Sequence, residues 1–386
     1  MLLLSGKEKI NTVSWYEIML IISKMTKDPN CTREKVLKCI QRIYPSDDLV
    51  DEEIREFFLR YIEISCCATE QMEIKNFMIW VQKNLMKLSS DLIRQIFSSS
   101  PKRRLIDEPL HQVSLFDLEV GRANDIRSWI LANISYVLGI DPVEENIYTI
   151  QSKKEKTLAG AWNRYYQYKK RNRPKSIPFG KKLPILDLFV MNMEEDDIIS
   201  KLKGKTTPQE AFLFPTEFKK RLKDRNWRRI DYSLVDWNTK FDIISCQLSL
   251  HKINSDRVFE IAQEFCKSNG IVIGIVIDDE KLKNLLKSQN EYENSRAKII
   301  LKSESTFSII FKYPQEQYLT IKNGKRCSFK QIREEAAKFN FESYNGGGLN
   351  RCLPLYAWHN LYPGPSLSED SQQIISLYST FIFKNV

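Results

Sequence analysis

None of the eight cysteines, at positions 31, 39, 66, 67, 246, 266, 327 and 352, forms a CxxC pair. That absence excludes a zinc ribbon and a dithiol redox motif. The thiols read as reduced and mostly buried, which suits a protein of the nucleus or cytoplasm. No apolar run approaches the ~18 residues that span a bilayer, so no membrane partner is expected. The opening MLLLSGKEK has too short an apolar stretch for a secretory signal and no basic residues ahead of it, so secretion is not expected either. Only three histidines occur; the lone His111 reads as a surface residue, and no metal site is expected. Internal repeats and low-complexity tracts are also missing.

What the chain does have is positive charge. Lys and Arg outnumber Asp and Glu to give a formal net charge of +10 and a pI near 9.0. That balance favours polyanionic partners such as nucleic acid and says nothing about fold.

Residues 1–98 read as a helical bundle. In SWYEIMLIISKM, Trp15, Ile18, Met19, Ile22 and Met25 recur at spacings of three and four, the mark of one apolar helix face. CTREKVLKCIQRIYP has a cap candidate in Thr32 and stops at Pro45. Such a domain suits docking on another protein. Residues 99–150 read as a linker, SSSPKRRLIDEPLHQ, and a connecting helix, DIRSWILANISYVLGI.

Residues 151–386 read as an α/β domain that opens on a basic segment. Between 153 and 182 there are eleven Lys or Arg against one Glu, interleaved with aromatics. Charge for phosphates and rings for bases make Trp162, Arg164, Tyr165, Tyr168, Lys169, Lys170, Arg171, Arg173 and Lys175 candidate nucleic-acid contacts. The bland alternative is a helix with one apolar and one solvated basic face. A second basic stretch adds Lys219, Lys220, Arg221, Arg228 and Arg229. Beyond it, buried strands KKLPILDLFV, FDIISCQLSL and IVIGIVID alternate with helices, one of them DRVFEIAQEFCKSNG closed by Gly270. TFSIIFKY, YLTIK and SLYSTFIFK read as further strands and SFKQIREEAAKFNFES as a helix. Alternation of this kind predicts a mostly parallel sheet covered on both faces.

FDIISCQLSLH, NGIVIGIVIDDEKLKNLL and the terminal LSEDSQQIISLYSTFIF, in that order, resemble the messenger-RNA cap guanine-N7 methyltransferases over the C-terminal two-thirds. The resemblance implies a Rossmann-like class I methyltransferase fold and S-adenosylmethionine as cofactor. It places Arg164, Asp187 and Gln247 at the cofactor, with Asp231 or Asp236 near the adenine, and it makes His251 and Tyr378 remnants of the guanine pocket. Lys252 stands where the family has tyrosine, and the family's guanine-binding glutamate falls near Asn323 or Gly324. Taking ILDLFV as the family's first strand, the turn after it reads Phe189, Val190, Met191, Asn192 and Met193 where the family has glycines that let the backbone approach the cofactor. On that alignment the chain is expected to bind no cofactor and to have no catalytic residue. The expectation is a pseudo-methyltransferase that binds DNA or RNA and supports an active subunit of a nucleic-acid methyltransferase complex, one acting on adenine N6 being an example. The alternative is an active, divergent cap methyltransferase that uses S-adenosylmethionine.

Overall fold

A computed structural model describes residues 72–97, 111–149, 159–170, 182–194, 197–203, 240–313, 316, 319–344, 358, 362–364 and 366–386. Of the expected N-terminal bundle this includes one helix, α1 (Glu73–Phe97); residues 1–71 lie outside the described residues. The chain divides into two units: Gln82–Asn284 with Gly324–Leu353 and Tyr378–Val386, and Met1–Val81 with Leu285–Asn323 and Pro354–Leu377.

The larger unit is a seven-stranded sheet. Its strands are β1 (Val113–Leu118), β2 (Ile134–Asp141), β3 (Ile185–Val190), β4 (Phe241–Gln247), β5 (Cys266–Ile277), β10 (Phe341–Ser343) and β11 (Tyr378–Asn385), in the spatial order β10-β11-β5-β4-β1-β2-β3. β1 to β5 are mutually parallel, and β11 runs antiparallel to both β5 and β10. This is the doubly wound Rossmann order with one reversed strand inserted beside β5, as expected of a class I methyltransferase fold.

The central strands are the most apolar because both faces are covered. All six residues of β1 are buried, as are the first six of β4, which is how strands of a parallel sheet between helical layers read. The core is rich in phenylalanine; Phe116 meets Phe265 edge-on at 5.7 Å and Phe259 meets Phe383 at 5.5 Å, the geometry that aromatic quadrupoles favour. Gly274 in β5 is required by space: a Cβ there would come within 2.3 Å of the Phe381 ring and 2.4 Å of the Cys246 carbonyl.

Four sequence expectations are corrected. The stretch expected to be linker and connecting helix contains β1, α2 (Ile126–Leu131), β2 and α3 (Glu144–Tyr148), so the sheet begins well before residue 151. DIRSWILANISYVLGI is not one helix: Asn133 is left-handed at φ 54°, which stops α2 and releases the β-branched Ile134, Val137 and Ile140 into β2. ILDLFV is the third strand, at the sheet edge, not the first. The helix after β4, α6 (Ser255–Phe265), ends before Gly270; Cys266 is already extended, and the left-handed residue is Asn269 at φ 64°. The remaining helices are α4 (Ala161–Lys170), α5 (Ile198–Lys203), α7 (Asp279–Leu286), α8 (Phe329–Lys338) and α9 (Glu369–Ser376).

The smaller unit is built on a sheet in the order β6 (Glu291–Glu293), β7 (Ala297–Leu301), β8 (Thr306–Phe311) and β9 (Ile321–Lys325), with β7 antiparallel to both β6 and β8. Its polar centre is Arg296, 2% exposed. The guanidinium pairs with Glu73 at 2.8 Å and lies over the Tyr313 ring at 4.8 Å. Glu73 also accepts from the Ser368 amide and hydroxyl at 3.0 and 2.8 Å and from the Ser371 hydroxyl at 2.7 Å. Among the described residues of the chain, no helix is long and apolar enough to cross a membrane.

Candidate functional site

In this sheet the winding reverses between β1 and β4, and doubly wound sheets bind ligands outside the carboxyl ends of the strands at that reversal. Two segments frame the crevice here: the turn from Glu119 to Asp125 after β1, and the loop from Leu248 to Asn254 after β4. In the turn, Glu119, Gly121 and Ala123 all take left-handed backbone conformations, at φ 61°, 57° and 50°. Leu248 does so opposite, at φ 59°. Each non-glycine residue in that region costs on the order of 1–2 kcal/mol, and such strain gathers at functional sites. The turn keeps the alternating conformation that glycines make easy while carrying one glycine. A Cβ added at Gly121 would meet nothing within 4 Å, so the backbone there borders open space.

The end of β2 holds the turn in place. Asp141 Oδ2 accepts from the Gly121 amide at 2.9 Å, and Oδ1 accepts from the Val143 amide and the Asn146 side-chain amide at 2.9 and 3.0 Å. Asp141 follows Gly121 by 20 residues, the interval at which a dinucleotide-type fold sets the acid that meets a ribose.

Two more acids converge on the turn. Asp117, in register with Ser245 across β1 and β4, is buried, and its carboxyl is pushed well above the usual range by that burial and then by the carboxylates of Asp125 and Asp141, with the Ser245 hydrogen bond opposing. Burial raises Asp125 to about 6. On the opposite strand Gln247 donates through Nε2 to Ser245 Oγ at 3.3 Å, while its Oε1 is buried without a hydrogen-bond partner. A buried acceptor left unsatisfied costs about 1–3 kcal/mol. A ligand N–H or O–H donor at the crevice would remove that cost.

Across the crevice Lys252 Nζ meets Glu119 Oε2 at 2.7 Å; the glutamate side chain is 9% exposed and the lysine 59%. An ion pair with one partner so exposed contributes ~0–1 kcal/mol, less than glutamate costs in a left-handed position. Folding alone does not account for Glu119.

The residues expected from sequence fall in several places. Gln247 and His251 lie on β4 and its loop, at the crevice. His251 is buried and held neutral, its pKa pushed down to about 3 by burial and then by the neighbouring Lys252 charge. Tyr378 is buried at the start of β11, and its carbonyl accepts from Lys281 Nζ at 3.1 Å. Arg164 lies on α4 and donates through Nε to the Ala159 carbonyl at 3.1 Å; burial, and then the Arg122 guanidinium of the β1 turn, lower its pKa. Asp187 sits in edge strand β3, accepting from the Tyr136 hydroxyl at 2.9 Å, and not on β1 ahead of the turn 119–125. Trp162 and Tyr165 are not available to stack on bases: they are 1% and 9% exposed, and the tyrosine hydroxyl donates to the Pro184 carbonyl at 2.7 Å. They form the inward face of α4. Tyr168 is half-buried on the same helix. The side chains of Lys169 and Lys170, and the whole of Arg171, Arg173, Lys175, Lys219, Lys220, Arg221, Arg228, Arg229, Asp231 and Asp236, lie outside the described residues.

The steric case against a cofactor falls with the strand assignment. Phe189 lies in edge strand β3 and Met191 and Met193 follow it; all three belong to the hydrophobic core, away from the turn at the sheet's reversal. Sequence reasoning missed Glu119, Gly121, Asp125 and Asp141. The signal was there: a strand, LFDL, then a turn with one glycine, then a helix, then LGID ending in an acid at the right interval.

A cavity of about 170 Å³ beside the β4 loop is lined by Leu250, Ile253, Asn254, Lys325, Arg326 and Gln331 among others. Its cations are already engaged, Lys325 with Glu194 at 3.2 Å and Arg326 with Asp279 at 2.5 Å.

No family model matches the chain, and no curated protein matches it in sequence. Among solved structures the chain is similar to an S-adenosylmethionine-dependent methyltransferase from Clostridium acetobutylicum ATCC 824, at 13% identity and a TM-score of 0.36 over 77% of this chain and 90% of that one. A second similar structure is a methyltransferase from Methanosarcina mazei, at 12% identity and 0.38 over 74% and 98%. A third is the plantazolicin methyltransferase BpumL in complex with S-adenosylhomocysteine, at 9% identity and 0.35 over 97% and 99%. None of these is described as acting on an RNA cap. The fold rests on the strand order and not on likenesses this distant.

Proposed function

We propose that this chain binds S-adenosylmethionine in the crevice between β1 and β4 and serves methyl transfer to a nucleic-acid acceptor. The observation that carries the reading is the left-handed turn 119–125 tied to Asp141 and facing Gln247. The residues fit the cofactor: Gly121 leaves room for it, Asp141 stands where a ribose is met, and the orphaned Gln247 Oε1 offers an acceptor. When bound, the cofactor supplies a methyl group already activated by a sulfonium, so the chain has chiefly to hold two reactants in line. The net charge of +10 supports a polyanionic acceptor.

A second reading, a non-catalytic relative that assists an active subunit, is favoured by Glu119 in a place that glycine fills at least cost. Calorimetry with S-adenosylhomocysteine tests the first: micromolar binding, weakened tenfold or more by Asp141→Ala, is expected. Transfer of labelled methyl to RNA or DNA then separates the two readings. No binding by the wild type would leave the second.

A further inference from the structure

The Glu119–Lys252 pair is not used by the function proposed above. Its carboxylate is nearly buried and fixed by a left-handed backbone; its ammonium is on the solvent side, from the loop across the crevice. A carboxylate so placed requires a cation beside it. Lysine, a compact charge on a flexible stem, is a cation that can leave.

Resting on the reading that this crevice holds S-adenosylmethionine, we propose that Lys252 stands in for the ammonium of the ligand's amino-acid moiety on Glu119, and that the ligand binds by displacing it. The carboxylate is preorganised by the turn whichever cation it holds, so exchanging one ammonium for another keeps Glu119 compensated. A nucleoside without an amino-acid ammonium cannot make the exchange, because it would leave Glu119 without a counter-charge once Lys252 has gone. Glu119 therefore selects nucleosides that bear an amino-acid ammonium, and Lys252 competes with that ammonium for the same carboxylate. Lys252 lowers the affinity for both the cofactor and its demethylated product, since a ligand that must first displace an internal group loses affinity by the fraction of time the site is open.

The test is calorimetry of the full chain with two probes: S-adenosylhomocysteine, which carries the ammonium, and methylthioadenosine, which shares the nucleoside and sulfur but has no amino-acid part. Lys252→Met keeps the stem and removes the charge. It is expected to bind S-adenosylhomocysteine about three- to tenfold more tightly than wild type and methylthioadenosine no more tightly. Glu119→Gln is expected to weaken S-adenosylhomocysteine binding and to erase the gain from Lys252→Met in the double variant, with thermal melts showing each variant folded. If wild type binds and Lys252→Met binds equally or less tightly, or if it gains equally for both probes, the exchange is wrong while the cofactor site stands. If neither protein binds S-adenosylhomocysteine, the cofactor reading falls and takes the exchange with it.

Discussion

Asp125 shows how the site's chemistry is written in single side chains. It begins α2 without making a side-chain cap bond, and burial raises its pKa from 3.8 to about 6. A carboxyl that ionises less readily when folded stabilises the fold below its unfolded pKa, and that contribution is lost as pH rises through about 4 to 6. Asp125→Asn should therefore raise stability at pH 7 by on the order of 1 kcal/mol, less than the full shift implies because part of the side chain meets water. Urea denaturation at pH 4 and pH 7 checks this, with the variant's gain absent at the lower value. His251 has the opposite sign. Its folded pKa of about 3 lies below the ordinary value, so its contribution falls as pH drops from about 6.5 toward 3. Its ring signals in an NMR titration should stay in the neutral form down to about pH 4, whereas an exposed histidine would titrate near 6.5. Burial of this kind is hard to foresee from a list of residues. Gln247 and His251 were legible as occupants of a loop after a buried strand. That one would be left with an orphaned oxygen and the other kept neutral depends on neighbours far away in sequence.

At the scale of elements, strand identity was legible and strand rank was not. FDIISCQ, IVIGIVI and YSTFIF declare themselves by continuous β-branched and aromatic runs, and the structure has all three as β4, β5 and β11. ILDLFV does so equally, and nothing local distinguishes an edge strand followed by acidic residues from a first strand followed by a damaged glycine turn. The distinguishing fact is relational: Asp141 binds back to the amide of Gly121. The close approach of strands gives a prediction at this scale. Gly274→Ala would place a methyl against Phe381 and the Cys246 carbonyl and should destabilise by about 1–3 kcal/mol, measured by chemical denaturation. In the smaller unit, Glu73→Ala removes the carboxylate 2.8 Å from the buried Arg296 and the acceptor of the Ser368 and Ser371 hydroxyls, and should cost about 3–5 kcal/mol. Proteolysis rates in native buffer should rise accordingly, while Glu73→Gln, which keeps the hydrogen-bonding shape, should cost less.

For the whole molecule, the fold class could be read from the alternation of strands and helices, but the start of the sheet could not. VSLFDL is six residues long, sits between a basic linker and a helix, and carries an aspartate, so its central position shows only once β2 and β4 flank it. The net charge of +10 belongs to this scale as well. If nucleic acid is the acceptor, affinity should fall at least tenfold between 50 and 200 mM salt, with little sequence preference, because phosphate contacts dominate such binding. Changing Lys169, Lys170 and Arg171 together to Glu should abolish retention on heparin; a flat salt response would remove the nucleic-acid acceptor from the proposal.

The antiparallel β11 has a consequence for how the protein is made. Its partner β5 pairs Ile277 with Tyr378, so one flank of IVIGIVI must wait for about a hundred further residues to leave the ribosome, roughly 5–20 s at ordinary elongation rates. Throughout that interval the nascent chain offers a bare, uncharged strand edge, the kind that pairs with strangers. Its yield in cells should accordingly follow chaperone supply and translation speed more closely than the stability of the finished fold.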